Sequence, residues 1–214
     1  SMRSGSAWPD LARNRGAAMN RLDARLLDVL EPVRDIAVGE ILEVMARRLD
    51  SGAHVVHEPM QRDADGHVTR SGKLRLPVRG DLEVTAGGRT LVQRVACEKV
   101  LNFEPLTLIE PDGFVAVLKP FRWDAADVLV EARQTAPDWV PVRRWYLEWF
   151  QSRFSELAPD LDGAVHGIDG PNEVPEGWRF TVDLGSAPIE ALTDMVGAFA
   201  ETGAARIRIG QPPE

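Results

Sequence analysis

The stretch ADVLVEA, residues 126–132, decides the fold of this chain. Its centre places Val128, Leu129 and Val130 side by side, and such a short run of apolar and β-branched residues favours a strand. A helix is the alternative, because periodicity alone does not separate a short buried helix from a buried strand. We predict a strand here, and the topology of the whole C-terminal half depends on it.

Apolar residues after residue 132 recur with clearer helical or strand spacing. We predict a helix at about 141–157, strands at 163–168 and 178–184, a helix capped by Ser186 and a strand at 205–209. With a strand at 126–132, the order is strand-helix-strand-strand-helix-strand. This is the split βαβ, or ferredoxin-like, arrangement. Because that arrangement serves many unrelated functions, it says little about what the protein does.

The N-terminal half has two kinds of pattern. Residues 1–16 mix Ser, Gly, Pro and Arg without a period, which indicates a flexible tail. Apolar residues then recur at helical spacing from Met19 to Leu49, and Pro32 is expected to break or kink this run into two helices. We therefore predict a helical hairpin at the start of an N-terminal domain.

Residues 53–119 alternate like strands and predict an antiparallel meander. A three-residue loop at 78–80 would set Leu76 opposite Leu82 and Arg75 opposite Glu83, and the pair Gly87-Gly88 would set Val84 opposite Leu91. The predicted class is thus α+β: N-terminal helices with an antiparallel β meander, followed by a ferredoxin-like C-terminal half. The predicted domains are 17–122 and 123–214.

Composition limits the classes of function. The chain has 214 residues and a net charge of −8, and residues 104–214 alone hold 9 basic and 19 acidic residues, a net charge of −10. Phosphate backbones repel such a surface, so we expect no nucleic acid and, if a macromolecule binds, a basic protein partner. No apolar run reaches the ~18 residues that span a membrane. With Cys97 as its single cysteine, the chain forms no internal disulfide, and a cytoplasmic location is expected.

Few residues stand out as sites of chemistry. His54 and His57 would point to opposite faces of a strand and could not share a metal. Cys97 has no catalytic motif around it, so an inert buried thiol is expected. The segment 169–177 has no calcium-loop spacing and is predicted to be a hairpin loop that contacts a partner. Nucleotide, hydrolase and zinc motifs are missing, so we predict no catalytic residue, no metal and no cofactor.

Two functional hypotheses follow. The first is a non-enzymatic interaction or regulatory module that uses the acidic C-terminal surface. The alternative is an enzyme or small-ligand binder with its site between the two halves, where domain interfaces often form pockets; His57, Arg94, Cys97 and His166 would then converge. The candidate binding residues are Arg70, Lys73, Arg79, Arg94, His57 and His166. Homo-oligomerisation through a sheet edge or an apolar helix face is compatible with both hypotheses.

The stretch RRWYLEWFQSRF, residues 143–154, concentrates five aromatic residues in the predicted helix. On a helical wheel its apolar members cover more than half of the circumference, which is more than one face of a small sheet needs. We therefore expect a structural seam between the two halves, with Trp149 buried in it. A binding surface for a partner is the alternative.

Overall fold

The computed structural model describes residues 24–110, 112–132, 136–151 and 161–212, which form three helices, eleven strands and three sheets. The class is mixed α+β. None of the helices in these ranges is both long enough and apolar enough to cross a membrane. The predicted tail at 1–16 lies outside the described residues, as do Arg153 and Phe154.

The first helix, α1, runs without interruption over Ala24–Asp50 with Pro32 inside it. The predicted break at Pro32 is therefore wrong, and so is a helical hairpin within residues 24–50. A proline removes one backbone donor and crowds the preceding turn. The apolar stripe nevertheless continues in phase on both sides of it, and its burial outweighs that local loss. The buried members of the stripe are Leu26, Leu30, Val33, Ala37 and Ile41.

Two small sheets follow α1. Strands β1 (His54–His57), β4 (Leu82–Ala86) and β5 (Arg89–Gln93) form one of them in the order β1-β4-β5. Strands β2 (Arg70–Ser71) and β3 (Leu76–Pro77) form the other. The predicted pairing of Val84 with Leu91 across the two glycines is confirmed.

The predicted hairpin around residues 78–80 is wrong. Leu76 pairs with Ser71, and Glu83 lies between Val56 and Val92, so neither Leu76–Leu82 nor Arg75–Glu83 is a cross-strand pair. The backbone N–H groups of residues 78, 79 and 80 donate to the carbonyls of Thr69, His166 and Pro59. Because these partners belong to three separate segments, residues 78–80 form a crossing point of the chain and not a local turn.

The large sheet has six strands. They are β6 (Leu106–Ile109), β7 (Val115–Leu118), β8 (Ala126–Ala132), β9 (Gly167–Val174), β10 (Gly177–Asp183) and β11 (Ala204–Gly210), in the order β6-β7-β11-β8-β10-β9. The predicted strand at 126–132 is confirmed as β8. The pairing of β11 with β7 is parallel, and the other pairings are antiparallel. A single meander over 53–119 is wrong, because β6 and β7 belong to this sheet.

The β9–β10 hairpin is longer than expected. β9 begins at Gly167 and continues to Val174, so the turn contains only Pro175 and Glu176. The predicted strand at 163–168 and loop at 169–177 are therefore corrected. The register shifts between Arg179 and Thr181, opposite Gly170. Gly170 has a φ of 125°, and a Cβ on it would lie 2.7 Å from the Arg179 carbonyl oxygen. A bulge of this kind lets a Gly-Pro pair remain within a strand.

Helices α2 (Val140–Phe150) and α3 (Ile189–Ala200) pack on each other. The predicted buried stripe of α3 is confirmed, and the Phe199 ring contacts Phe180 of the large sheet at 5.3 Å between centroids. Ser186 does not cap this helix, because the N-cap is Pro188. The large-sheet residues buried in this core include Val128, Val130, Phe180, Val182, Ile207 and Ile209.

Helix α2 holds two parts of the molecule together. Trp145, Tyr146 and Phe150 are buried, and Trp149 is partly buried. The Trp145 indole N–H donates to the Ala191 carbonyl of α3 at 2.9 Å, while the Tyr146 hydroxyl donates to the carbonyls of Pro77 and His166. Tyr146 therefore joins the two halves as expected of the seam, whereas Trp149, predicted to be buried in it, is only partly buried and donates to Asp194 of α3.

Candidate functional site

A buried group of three charged residues lies where β1, β4 and the segment before β9 meet. Glu58 follows β1, Asp81 precedes β4, and His166 precedes β9. The His166 imidazole is fully buried between the two carboxylates, with Nε2 at 2.6 Å from Glu58 Oε1 and Nδ1 at 2.9 Å from Asp81 Oδ1. We call these three residues the junction cluster.

Backbone hydrogen bonds set this geometry. The Glu58 N–H donates to the Asp81 carbonyl at 2.8 Å, and the His166 N–H donates to the Asp183 carbonyl at 3.0 Å. Glu58 has a φ of 46°. A positive φ is uncommon for a residue other than glycine, and such strain persists only where the surroundings hold the residue in place. The chain therefore bends at Glu58 in a way that directs its carboxylate inwards.

The junction cluster keeps its histidine charged. Burial alone would lower the pKa of His166, but hydrogen bonds to Asp81 and Glu58 outweigh burial and raise that pKa to about 10. Burial would raise the pKa of Glu58, yet its bond to His166 and further bonds to Ser186 and Asp162 bring it below the usual value. Since both ring nitrogens face acceptors, His166 is an imidazolium that donates from both sides.

Further hydrogen bonds from Ser186, Asp162 and Arg79 surround the junction cluster. The Ser186 hydroxyl and the Asp162 backbone N–H donate to the two oxygens of Glu58. Arg79 is also buried; it donates to the Phe150 carbonyl at 3.0 Å, the Glu58 carbonyl at 2.8 Å and the Asp162 carboxylate at 2.8 Å. The Arg79 guanidinium lies 5.0 Å from the Phe150 ring centroid.

This arrangement does not match a serine nucleophile. Ser186 is buried and donates to Glu58, while its oxygen accepts from the N–H groups of Gly163 and Ala164. A catalytic serine needs an adjacent general base, most often a histidine, and an oxygen that the substrate can reach. The junction cluster instead joins the segment 58–81 to the segment 162–186 through charge-assisted hydrogen bonds.

A cavity of about 310 Å³ opens beside the junction cluster, and Asp81 lines it. We call it the junction cavity. Asp81, Arg94 and Val95 line it from the N-terminal half, while Asp169 and Asp183 line it from strands β9 and β10. The cavity therefore lies between the two halves of the chain.

Asp183 is the lining residue with the most altered acidity. Burial raises the pKa of Asp183 to about 6; the charge of Asp81 acts in the same direction, and the charges of His166 and Arg94 oppose it. Its Oδ1 accepts the Gly185 N–H at 3.0 Å. A carboxyl group that titrates near neutral pH can accept or donate a proton under physiological conditions.

Two arginines also line the junction cavity, and they differ in their contacts. Arg122 is paired with Asp124 at 2.7 Å, and the same carboxylate accepts the Cys97 N–H. The Arg94 guanidinium is exposed and has no hydrogen bond or ion pair with any residue in the described ranges. The junction cavity therefore presents one uncompensated guanidinium near the Asp183 carboxylate.

The six candidate binding residues are distributed over three places. His166 and Arg79 are buried in and around the junction cluster, and His57 lies beside it, 3.5 Å from the Asp162 carboxylate. Arg94 lines the junction cavity. Arg70 and Lys73 are exposed, and Arg70 donates to the Arg75 carbonyl. Cys97 is buried near the Arg122–Asp124 pair, and burial raises the pKa of its thiol.

The residues that sequence analysis missed are carboxylates. Glu58, Asp81 and Asp183 decide the electrostatics of the site, but acidic residues are common in this chain and no spacing marks these three. The one local signal is Glu58 before Pro59, because a residue before proline is excluded from the helical region and marks a bend. Burial gives these carboxylates their importance, and burial here depends on contacts between distant segments.

One group of side chains in the described ranges has the spacing of a metal site. Asp63, Asp65 and His67 place one ligand atom each within 4.8 Å of one another, and all three are exposed. The Asp63 Oδ1 already accepts the N–H groups of Asp65 and His67 in a local turn. The turn accounts for this proximity without an ion.

Comparison of the chain with protein-family models, with curated proteins and with solved structures gave no match. The functional argument therefore depends on the residues and their geometry.

Proposed function

We propose that this protein binds a small zwitterionic ligand, such as an α-amino acid, in the junction cavity. The observation that supports this most is that the Arg94 guanidinium, which makes no ion pair in the described ranges, and the Asp183 carboxylate both lie on the walls of one cavity. A guanidinium suits a carboxylate, because it donates two parallel hydrogen bonds. A carboxylate such as Asp183 or Asp169 suits an ammonium group.

The size of the cavity and its position support the same proposal. About 310 Å³ is at the lower end of the volumes of small-molecule sites. The junction cluster behind Asp81 makes the wall rigid, since its hydrogen bonds connect both sides of the cavity. Arg122 and Asp124 neutralise each other, which leaves Arg94, Asp169 and Asp183 to select the ligand.

A thermal-shift and calorimetry panel tests this proposal. The probes are glycine, alanine and glutamate, with methylammonium and acetate as ligands that carry only one of the two charges. A ligand at 100 times its Kd stabilises the folded state by about 2.7 kcal/mol. We expect zwitterions to stabilise the protein more than either single-charge probe. No stabilisation by any zwitterion would contradict the proposal.

Matched variants identify the site. Arg94→Gln and Asp183→Asn should each weaken zwitterion binding by about tenfold or more, since each removes a charged hydrogen-bond partner. Arg206→Gln and Glu131→Gln make the corresponding changes, arginine to glutamine and carboxylate to amide, on the large sheet outside the junction cavity and should leave affinity unchanged. Affinity should also fall as the pH is lowered through about 6, where Asp183 becomes protonated, and Asp183→Asn should remove that dependence. Equal effects of all four variants would place binding elsewhere.

A second candidate is the interaction module that the charge distribution favours. Glu173 and Glu176 are exposed at the end of the β9–β10 hairpin, in a half of the chain with a net charge of −10. A basic partner would contact this hairpin, and Glu173→Lys with Glu176→Lys would remove the contact. The test is capture of a purified basic protein at low and high salt, because screening weakens contacts between exposed charges. Capture that ignores both salt and the substitutions would contradict this candidate.

We also infer that residues 126–210 adopt the ferredoxin-like fold. The support is the element order β8-α2-β9-β10-α3-β11 and the strand order β11-β8-β10-β9.

A cytoplasmic location is supported by the single cysteine, Cys97, which is a free buried thiol. Homo-oligomerisation would use the edge strand β6, where Ile109 is exposed, and light scattering tests it.

A further inference from the structure

A second cavity, of about 210 Å³, lies at the β8, β10 and β11 strands away from the junction cluster. Asp127, Arg179 and Arg208 come from β8, β10 and β11, and Lys119 follows β7. Val128, Phe180 and Ile209 alternate with three of these residues and are buried in the core. Because neighbouring side chains of a strand point to opposite faces, this cavity lies on the sheet face opposite that core. We call it the far-face cavity.

The strand register brings the charged side chains of this cavity close together. Arg179 on β10 and Arg208 on β11 both pair with Leu129, two residues along β8 from Asp127. Gly210 is the residue opposite Asp127 on β11, and its lack of a side chain leaves space there. Three cationic groups and one carboxylate thus line a space within the acidic half of the chain.

The Asp127 and Arg179 side chains of this cavity form an ion pair without a hydrogen bond. Asp127 Oδ1 and Arg179 Nε are 3.3 Å apart, both atoms are buried, and neither has a hydrogen-bond partner in the described part of the chain. The Asp127 side chain is only 10% exposed. Buried polar atoms in native proteins almost always have hydrogen-bond partners, so this pair leaves hydrogen-bonding capacity for a bound group. A group that accepts from Arg179 and donates to Asp127 would use it.

We propose that the far-face cavity binds a monohydrogen phosphate ion, whose charged oxygens accept hydrogen bonds from Arg179, Arg208 and Lys119 while its P–OH group donates to Asp127. A tetrahedral anion fits the volume. The three cations provide the charge, and a phosphate oxyanion is a good geometric partner for guanidinium groups. Asp127 accounts for the choice among anions.

The carboxylate makes the site selective for a protonated anion. Sulfate has no O–H group at neutral or slightly alkaline pH, so it would place an unprotonated oxygen against Asp127. A phosphate monoester has lost its last proton above a pKa of about 6 and meets the same repulsion. Burial raises the pKa of Asp127, although Arg179 and Arg208 act against this, so the group readily shares a proton with a bound oxyanion. Inorganic phosphate is therefore the preferred ligand.

Equilibrium dialysis of the whole protein with radiolabelled inorganic phosphate, at slightly alkaline pH, tests the proposal. Unlabelled sulfate and methyl phosphate serve as competitors, which separates free phosphate from the monoester as the source of the anion. We expect phosphate to bind about tenfold or more tightly than either competitor, because one hydrogen bond to a charged group separates them. Equal competition by sulfate would overturn the role of Asp127.

Four variants distinguish the parts of the proposal. Arg208→Gln and Lys119→Gln should each weaken phosphate binding by about tenfold, and Lys119 is exposed, so the second change carries little risk for folding. Asp127→Asn should abolish the preference over sulfate while both anions still bind, since an amide can donate as well as accept. Arg206→Gln alters an exposed arginine on the same strand that does not line the cavity and should change nothing.

Three results of these binding measurements would contradict the phosphate proposal in part or as a whole. Phosphate binding that survives Arg208→Gln and Lys119→Gln, with the variants folded by circular dichroism, would place the anion elsewhere. An Asp127→Asn variant that still prefers phosphate would show that the P–OH group is not recognised there. Absence of measurable phosphate binding by the unaltered protein would overturn the proposal as a whole.

Discussion

The junction cluster and the far-face cavity both place a carboxylate beside a cation in a buried setting, and they differ in what surrounds the charges. In the junction cluster every functional atom of Glu58, Asp81 and His166 has a hydrogen-bond partner within the protein. In the far-face cavity, Asp127 Oδ1 and Arg179 Nε are buried without one.

This difference separates two roles of buried charge. A buried ion group with complete hydrogen bonding holds segments together, because removal of any member leaves the others uncompensated. A buried group with incomplete hydrogen bonding makes the folded protein less stable until a ligand provides the missing partners. We therefore expect the incompletely bonded pair of the far-face cavity, rather than the junction cluster, to mark a ligand site.

The largest effect should come from Glu58→Gln. The amide keeps the size of the side chain but places a donor against the Ser186 hydroxyl, the Asp162 N–H or the His166 ring. Breaking a buried ion pair on one side costs about 3–5 kcal/mol, and we expect a loss of stability of that size. Urea denaturation measures it as a lower midpoint with an unchanged slope.

Glu131→Gln is the control, since it makes the same change on β8 outside the junction cluster and should stay within about 0.5 kcal/mol of the unaltered protein. If the two variants are equally stable, the junction cluster does not stabilise the fold.

A pH scan perturbs the junction cluster without a mutation. The pKa of His166 rises from 6.5 to about 10 on folding, so the folded state holds this proton more tightly than the unfolded state. The resulting stabilisation is complete below pH 6.5 and is lost as the pH rises to about 10. Urea midpoints across this interval should therefore fall steadily.

The scan needs a background without Cys97, a buried group whose ordinary pKa lies within the same interval. Burial raises the pKa of the Cys97 thiol above its ordinary 9.0, so this thiol ionises more readily in the unfolded state and also lowers stability as the pH rises. Cys97→Ala removes this contribution. NMR of the imidazole ring gives a direct check, because the His166 resonances should not shift between pH 6.5 and neutrality. Titration of this ring with an ordinary midpoint would mean that His166 is not held between two carboxylates.

A smaller effect is expected from Tyr146→Phe, which separates hydrogen bonding from packing at the seam. The ring stays buried, but the Pro77 carbonyl loses the hydroxyl donor, while the His166 carbonyl keeps the Arg79 backbone N–H. An unsatisfied buried acceptor costs about 1–3 kcal/mol, so the loss should lie below that of Glu58→Gln. Chemical denaturation measures it, and stability equal to that of the unaltered protein would show that the hydroxyl does not connect α2 to residue 77.

Local patterns predicted the elements that depend on local contacts. The β8 strand, the Gly87-Gly88 hairpin and the apolar stripe of α3 follow from the residues next to them. The pairing of β7 with β11 joins residues about ninety positions apart, and no period in either strand predicts its partner. Residues 78–80 resemble a turn by composition, yet their hydrogen bonds go to three distant segments.

The site was predictable only by residue type. His166 and Arg94 were named as residues that would converge at a site between the two halves, but their roles depend on Asp81 and Asp183. Arg179 and Arg208 alternate with apolar residues, as solvent-facing strand residues do. Only the pairing of β10 and β11 with β8 shows that both lie beside Asp127. A carboxylate becomes a functional residue through its neighbours in space, which a single sequence does not show.

The smallest effect on stability should come from Asp127→Asn. This variant tests the difference between the junction cluster and the far-face cavity most directly. Burial raises the pKa of Asp127, which means that the folded protein disfavours its charged form. The substitution removes this unfavourable charge but also leaves Arg179 without its nearest carboxylate. These changes oppose each other, so the stability without ligand should stay within about 1 kcal/mol of the unaltered protein. Glu58→Gln and Asp127→Asn each remove one negative charge from a buried position, and denaturation in phosphate-free buffer compares them. Similar losses in both would mean that incomplete hydrogen bonding does not mark a ligand site in this protein.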